Sequence, residues 1–126
     1  MNYSELVNEA MKAKEMAYVP YSKFKVGAAV ITKAGKIYTG CNIENASFGA
    51  TNCAERTALF KAVSEGDREF EAIAVVSSSG DYTPPCGICR QVLAELMPEG
   101  KIILANDKGE TREYSIEDLL PVRFEL

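Results

Sequence analysis

Three short apolar runs constrain the fold of this chain more than any other feature of its sequence. They span residues 26–31, 72–76 and 102–105, and none of them alternates between apolar and polar side chains. A strand covered on one face shows such alternation, whereas a strand covered on both faces reads as a nearly continuous apolar run. The pattern therefore predicts a sheet that lies between two layers of helices.

Two further strands are expected beside these three. Residues 37–41 return after the turn at Ala34-Gly35 and form a hairpin with the first run, and a short last strand is expected at 111–114. Helical patterns separate the later strands, so those strands should run parallel through right-handed crossovers. The predicted fold class is α/β, a three-layer α/β/α arrangement around a mixed five-stranded sheet.

The expected helices follow from apolar spacing and from capping residues. The spacing predicts helices over about 3–18, 53–64 and 86–97. Asn2 with Glu5 is expected to form a capping box at the first helix, and Ser115 with Asp118 indicates a short capped helix near the end.

Length and charge limit the class of protein. The 126 residues fit one domain, 1–126, with a 47% hydrophobic and 25% charged composition typical of globular proteins. The net charge of -4 disfavours a nucleic-acid partner, because an acidic surface repels phosphate backbones. No apolar stretch reaches the ~18 residues that a membrane span needs, and the N-terminus has no signal-peptide core, so no membrane partner and a cytoplasmic location are expected.

The chain contains no histidine and four cysteines. Ser-His-Asp hydrolysis, Cys-His nucleophile pairs and histidine-ligated zinc are therefore excluded. Cysteines of a reducing compartment serve more often as metal ligands or catalysts than as disulfides. Proton transfer near neutral pH must use a carboxylate, a thiol, a lysine or bound water.

Two segments carry the chemistry, Cys53-Ala54-Glu55 and the run from Pro85 to Cys89. Each is expected where the chain enters a helix, and Cys86 and Cys89 lie on one face of a first helical turn. If the two helix starts face one cleft, three thiolates meet there, favoured by the positive ends of both helix dipoles. Three thiolates suit one zinc ion and leave its fourth position open to water.

Glu55 distinguishes a catalytic metal from a structural one. A structural site has no use for a carboxylate in the same turn, whereas a catalytic site needs a proton shuttle. Three thiolates also leave a net negative charge, which Arg56 could offset by a hydrogen bond to a ligating sulfur, with help from Arg90. Alternatively, both arginines make ordinary surface or interface pairs.

At these residues the sequence resembles the short-chain, homotetrameric zinc-dependent cytidine deaminases. Zinc deaminases share a non-ligating glutamate and a Pro-Cys-x-x-Cys element. The resemblance covers nearly the whole chain, and its motifs are Pro20-Tyr21-Ser22-Lys23-Phe24, Gly40-Cys41-Asn42-Ile43-Glu44-Asn45, Cys53-Ala54-Glu55-Arg56 and Pro85-Cys86-Gly87 through Cys89-Arg90-Gln91. It implies hydrolytic deamination of free cytidine or deoxycytidine to uridine or deoxyuridine plus ammonia, in pyrimidine salvage. It also implies one zinc per subunit, no organic cofactor and assembly as a homotetramer.

The resemblance assigns a role to each site residue. Cys53, Cys86 and Cys89 bind zinc and Glu55 shuttles protons, while the Ala54 backbone helps to hold the pyrimidine. A cysteine as first ligand, where polynucleotide-editing deaminases typically have histidine, favours a free nucleoside as substrate. The substrate-binding residues are completed by a ribose-binding pair, a pocket wall and an aromatic that stacks on the base from a neighbouring subunit: Asn42 and Glu44, Phe24, and Phe124.

Three positions depart from the family pattern or need separate interpretation. Pro84 stands where the family often has Ser or Thr, although proline keeps the backbone carbonyl that faces the leaving amine. Phe48 stands where tyrosine is expected, within a segment, 47–51, that contacts other subunits in the family. Cys41 is interpreted as a small buried hydrophobe and not as a ligand.

Three other functions remain open from the sequence. A deaminase of a related aminopyrimidine nucleoside, such as a blasticidin-type antibiotic, also pairs Cys-Ala-Glu with Pro-Cys-Gly-x-Cys. A dithiol oxidoreductase would use the C-x-x-C segment but would leave Cys53-Ala54-Glu55 unexplained. A structural zinc module would need Cys41 as its fourth ligand.

Overall fold

The computed structural model describes residues 2–126, which form five strands, four α-helices and one short 3₁₀ turn. In chain order these are α1 (Ser4–Lys14), β1 (Val26–Thr32), β2 (Ile37–Cys41), the 3₁₀ turn Phe48–Ala50, α2 (Ala54–Ser64), β3 (Phe70–Ser77), α3 (Gly87–Leu96), β4 (Lys101–Ala105), β5 (Thr111–Tyr114) and α4 (Ile116–Leu119).

The five strands make one mixed sheet in the order β2-β1-β3-β4-β5. Strand β1 pairs antiparallel with both β2 and β3, and β4 pairs antiparallel with β5. The central pair β3 and β4 is parallel, as expected for strands joined through a helix. The mixed five-stranded sheet predicted from the sequence is confirmed.

Each face of the sheet packs against its own helical layer. On one face, side chains such as Ala28, Val30 and Ile73 pack against α2, α3 and α4. On the other face, neighbours one residue along the strands, such as Ala29 and Ala74, pack against α1. Because successive side chains of a strand point to opposite faces, both layers bury apolar surface from the same strands. This is the physical origin of the unbroken apolar runs.

Two glycines let helices approach the sheet unusually closely. A Cβ built on Gly27 of β1 would lie 2.1 Å from the backbone oxygen of Ala10 in α1. A Cβ on Gly40 of β2 would lie 2.4 Å from the backbone nitrogen of Ala58 and 2.6 Å from the oxygen of Ala54, both in α2. The missing side chain at Gly40 therefore sets how deeply the first turn of α2 sits on the sheet.

The first helix differs from the prediction at both ends. It ends at Lys14 and not near Tyr18, because the backbone of Tyr18 leaves to pair with Asn42 and Glu44. The expected capping box does not form, since Tyr3 is the N-cap residue and the Asn2 side chain instead accepts from the Ser4 N–H. At the C-terminal end of α1, backbone pairing with a distant segment outweighs the helical pattern. At the N-terminal end, a local hydrogen bond of Asn2 replaces the capping box.

The other helix boundaries agree closely with the sequence. Cys53 and Cys86 are the N-cap residues of α2 and α3. Ser115 and Asp118 form the predicted capping box at α4. Within residues 2–126, the helices are too short or too polar for any of them to cross a membrane.

Candidate metal centre and active site

Two helix starts bring three cysteines together. Cys53 precedes α2 and Cys86 precedes α3, both in extended backbone, while Cys89 lies in the first turn of α3. Their sulfur atoms all lie within 4.8 Å of one another. The structure therefore places the three predicted ligands in one cluster, at the positive ends of two helices.

The spacing of the sulfur atoms fits one tetrahedral zinc ion. Zn–S bonds of about 2.3 Å at a tetrahedral angle place two ligating sulfurs roughly 3.8 Å apart. The Cys53 and Cys86 sulfurs are 3.7 Å apart. Three thiolates also form an open ligand set, since a tetrahedral ion keeps a fourth position for water or substrate.

The three thiols do not ionise alike. Hydrogen bonds from Cys89 first, and then from Arg56 and Cys86, lower the pKa of Cys53 to about 5 although burial opposes this. The hydrogen bond with Cys53 raises the pKa of Cys89, and burial and the neighbouring Glu55 raise it further. Cys53 is therefore the first of this pair to become a thiolate, the form that binds metal.

Glu55 occupies the second position of α2 and is buried, with 4% of its surface exposed. Burial raises its pKa to about 7, and the negative charge of Cys53 adds to this, partly opposed by its own backbone N–H and by Arg56. A carboxyl group with a pKa near neutrality can both accept and release a proton, as a proton shuttle must. The proton-shuttle role of Glu55 stays a prediction, and its position in the first turn of α2, beside Cys53, suits that role.

The two arginines next to the cluster have different partners. Arg56 donates from Nη2 to the Cys53 sulfur at 3.3 Å, the contact expected from the sequence. Arg90 instead donates to the backbone oxygens of Pro85 and Leu119, at 2.9 and 2.8 Å. Arg90 is thus held by carbonyl groups, and the suggestion that it helps to offset sulfur charge stays a prediction.

The segment Asn42–Glu44 runs directly alongside the cluster. Ile43 exchanges two backbone hydrogen bonds with Asn52, the residue before Cys53, each at 2.9 Å. On its other edge the segment pairs with Tyr18. Because side chains alternate along an extended segment, Asn42 and Glu44 point to the same side, as predicted.

Both side chains of this pair already bind the chain segment that carries Phe24. The Asn42 amide donates to the Phe24 oxygen and accepts from the Val26 N–H, each at 2.8 Å. The Glu44 carboxylate accepts from the backbone N–H groups of Tyr21 and Ser22. Ribose binding was predicted for the pair, and the structure adds a second task, that of anchoring this segment.

The remaining predicted residues differ in how far they are buried. Ala54 is fully buried between Cys53 and Glu55, and Phe24 is 38% exposed on the anchored segment. Phe124 is 68% exposed, and its backbone oxygen accepts from Gln91 of α3 at 3.0 Å. Cys41 is half-buried rather than buried and is not among the clustered sulfurs of the described residues 2–126.

Sequence reasoning gave no role to Ser22 and Ser78, although both contact the segment that carries Phe24. Ser22 bonds to Glu44 and to the Phe24 N–H. Ser78 accepts from the Lys25 N–H at 3.0 Å and donates its own N–H to the Lys25 oxygen at 2.8 Å. The motif at 20–24 was the available signal for Ser22; no local pattern marked Ser78.

A three-layer α/β fold that gathers three thiols and a buried carboxyl group at two helix starts defines a metal-dependent enzyme. Residues 1–105 match the family described as the cytidine and deoxycytidylate deaminase zinc-binding region. The chain belongs to this family of zinc-binding deaminases.

Relatives with known names cover almost the full length of the chain. A cytidine deaminase of Halalkalibacterium halodurans is 55% identical over 125 residues, covering 98% of this chain and 95% of the relative. A crystal structure of cytidine deaminase from Burkholderia pseudomallei has a TM-score of 0.94 and 52% identity, covering 98% of this chain and all of that one. A blasticidin-S deaminase of Bacillus cereus is 33% identical and covers 95% of this chain and 90% of the relative.

Proposed function

We propose that this chain hydrolyses the amino group of free cytidine and deoxycytidine, releasing ammonia and leaving uridine or deoxyuridine. The observation that carries the proposal is the buried carboxyl group of Glu55 in the turn that begins at Cys53, beside three clustered thiols. Relatives named cytidine deaminase at 55% and 52% identity support the choice of substrate.

In this mechanism Cys53, Cys86 and Cys89 hold one zinc ion. A zinc ion held there would lower the pKa of a bound water and so supply a nucleophile near neutral pH. Glu55 accepts a proton and delivers it to the ring nitrogen of cytosine. The water oxygen bonds to the carbon that carries the amino group, and Glu55 then moves the remaining proton of that oxygen to the amino group. The C–N bond breaks, and ammonia leaves. The overall balance is one water consumed and one ammonia released per nucleoside.

The residues around the cluster bind and orient the nucleoside. The Ala54 backbone contacts the pyrimidine, Asn42 and Glu44 contact the sugar, and Phe24 forms a wall of the pocket. Arg56 offsets sulfur charge through its contact with Cys53, which keeps the site from becoming too negative to activate water. An acidic net charge of -4 is consistent with a free nucleoside and not a polynucleotide as substrate.

We also propose that the chain acts as a cytoplasmic homotetramer. Its four cysteines are free thiols, as in proteins of a reducing compartment. Phe48 and Phe124 expose 79% and 68% of their surfaces, and exposed aromatic side chains are typical of protein interfaces. In that assembly Phe124 stacks on the base bound by a neighbouring subunit.

The proposed reaction is tested by following the ultraviolet absorbance of cytidine and deoxycytidine with zinc-loaded protein, and measuring ammonia in parallel. We expect both nucleosides to be converted with one ammonia per turnover. Blasticidin S serves as the competing substrate, because a 33% identical relative carries that name. Conversion of blasticidin S alone would overturn the choice of substrate while keeping the reaction.

The Cys41→Ser variant separates an open catalytic site from a closed structural one. If Cys41 completes a structural zinc site, the variant loses zinc. We expect one zinc per chain and cytidine turnover within about twofold of wild type, because Cys41 lies outside the sulfur cluster. Reduction of a disulfide substrate by zinc-loaded wild type, without deamination, would instead favour the oxidoreductase alternative.

A further inference from the structure

The segment from Tyr21 to Val26 is held in an unusual backbone conformation. Lys23 has a φ of 62°, and within residues 2–126 it is the one residue other than glycine with a positive φ. L-residues rarely adopt this region, and such strain persists only where the surrounding structure imposes it. Contacts with the rest of the chain must therefore hold Lys23 in this conformation.

Glu44 supplies the first group of these contacts. Its Oε1 accepts from the backbone N–H groups of Tyr21 and Ser22, at 3.0 and 3.1 Å. Its Oε2 accepts from the Ser22 hydroxyl. The hydrogen bond from Ser22 is also the main cause that lowers the pKa of Glu44, so the carboxylate stays ionised and keeps these donors.

The Ser22 hydroxyl continues the connection beyond Lys23. Its Oγ accepts from the Phe24 N–H at 3.0 Å while its proton is donated to Glu44. A hydroxyl has a single proton, so this pair of bonds fixes its direction. The result is a continuous path from the Glu44 carboxylate through Ser22 to the backbone that carries the Phe24 ring.

Other contacts fix the far end of the segment but do not replace this path. Asn42 binds the Phe24 oxygen and Ser78 binds Lys25, so the residues after Phe24 are held independently. The Phe24 N–H depends on Ser22 alone among the hydrogen bonds of the described chain. On the N-terminal side, the Lys23 N–H donates to the Val19 oxygen at 3.1 Å. Removing the Ser22 hydroxyl would therefore release the Phe24 N–H and leave the contacts of Lys23 and Lys25 in place.

We propose that Ser22 is a positioning residue that couples sugar binding at Glu44 to the placement of the Phe24 wall beside the base. The inference rests on the proposed function, because it takes Glu44 as the sugar contact. A sugar hydroxyl bound to Glu44 shares that carboxylate with Ser22, and Ser22 passes the constraint to Phe24. Ser22 thus contributes to nucleoside binding and not to proton transfer.

The Ser22→Ala variant tests the coupling by steady-state kinetics with cytidine. We expect KM to rise about five- to tenfold while kcat stays within about twofold, with zinc content and Tm unchanged. Ser22→Thr keeps a hydroxyl and should restore KM to within about twofold of wild type. The matched control is Ser64→Ala, which removes a hydroxyl bonded to Lys61 at the opposite end of α2 from Glu55.

A double variant asks whether Ser22 acts through Glu44. If it does, Ser22→Ala should raise KM little further in a Glu44→Gln background, because the path is already interrupted at the carboxylate. Independent multiplication of the two KM effects would overturn the coupling. So would a loss confined to kcat, or a failure of Ser22→Thr to restore KM.

Backbone amide hydrogen exchange tests the same path without turnover. In Ser22→Ala the Phe24 amide should exchange at least about tenfold faster, while the Tyr21 amide, held by Glu44, keeps its protection. Unchanged protection at Phe24 would overturn the inference whatever the kinetics show. An inactive wild type with the expected exchange pattern would count against the proposed function and leave the anchoring role of Ser22 supported.

Discussion

The first turns of α2 and α3 look alike in sequence but are built differently. Each follows a cysteine N-cap that contributes a sulfur to the cluster. In α2 the next two residues, Ala54 and Glu55, are both buried. In α3 the corresponding residues, Gly87 and Ile88, are exposed. The start of α2 thus forms the closed side of the site, and the start of α3 forms its open side.

The difference shows that a helix N-terminus can hold metal ligands in both helices and, in α2, a proton shuttle as well. Both helices direct a positive dipole end at the sulfurs, which favours thiolates at either position. Only α2 buries the first two residues after its cap, and burial is what raises the pKa of Glu55 into the neutral range. The metal ligands need only the helix starts, whereas the proton shuttle also needs the closed side.

The largest effect should come from the residue that the closed side buries. We expect Glu55→Gln to lower kcat for cytidine by about 10² to 10⁴, since it removes general acid-base catalysis while keeping the shape of the side chain. Ile88→Gln alters the equivalent position of α3, and kcat should stay within about threefold. Steady-state kinetics with zinc analysis of both proteins checks this. Equal losses in the two variants would mean that the two helix starts are not functionally distinct.

The next largest effects should distinguish Arg56 of α2 from Arg90 of α3. Arg56→Gln should lower kcat about tenfold with zinc and Tm nearly unchanged, because it removes the positive charge beside the Cys53 sulfur. Arg90→Gln should instead reduce the free energy of unfolding by about 2 kcal/mol, since two carbonyls lose a charged donor. Its kcat should stay within about threefold.

Thermal or urea unfolding, measured beside kcat, separates the two arginine variants. The reverse assignment, with Arg90 controlling kcat and Arg56 controlling stability, would contradict the contacts seen here.

The smallest effect on activity should come from packing behind the two helix starts, where the change is in stability. Gly40→Ala places a methyl group 2.4 Å from the α2 backbone, so we expect a loss of about 1–3 kcal/mol in the free energy of unfolding. Gly87→Ala, in the first turn of α3, meets no atom within 4 Å and should be neutral or slightly stabilising. Urea denaturation of both variants measures the difference. A Gly40→Ala protein as stable as wild type would show that α2 can move outward without cost.

Much of this arrangement could be predicted from local sequence. The bounds of β2 and β5 follow from turn residues and short apolar patterns. The starts of α2 and α3 follow from apolar spacing, and the cap of α4 follows from Ser115 and Asp118. The sulfur cluster was expected only if the two cysteine-bearing helix starts face one cleft, and the resemblance to the zinc-dependent deaminases implied that they do. The strand bounds and the helix starts depend on neighbours in the chain, and such features can be predicted from a single sequence.

The rest depends on contacts between distant segments. Ala17 continues the helical pattern of α1, but the backbone of Tyr18 pairs with residues more than twenty positions away and the helix ends early. Arg90 binds Leu119, whose carbonyl carries no sequence signal. The engagement of Asn42 and Glu44 with the Tyr21–Val26 segment is hidden for the same reason, since their partners are mostly backbone groups.

The crowding of sulfur around the centre also has a consequence for handling the protein. Three thiols within 4.8 Å, one of them with a pKa of about 5, form a nucleophilic and oxidisable group once a chelator has removed the metal. Oxidants and alkylating reagents should then attack Cys53 and the exposed Cys86 before the half-buried Cys41. Bound zinc thus protects these thiols. Apoprotein whose cluster has been oxidised would need a reductant as well as zinc to regain activity.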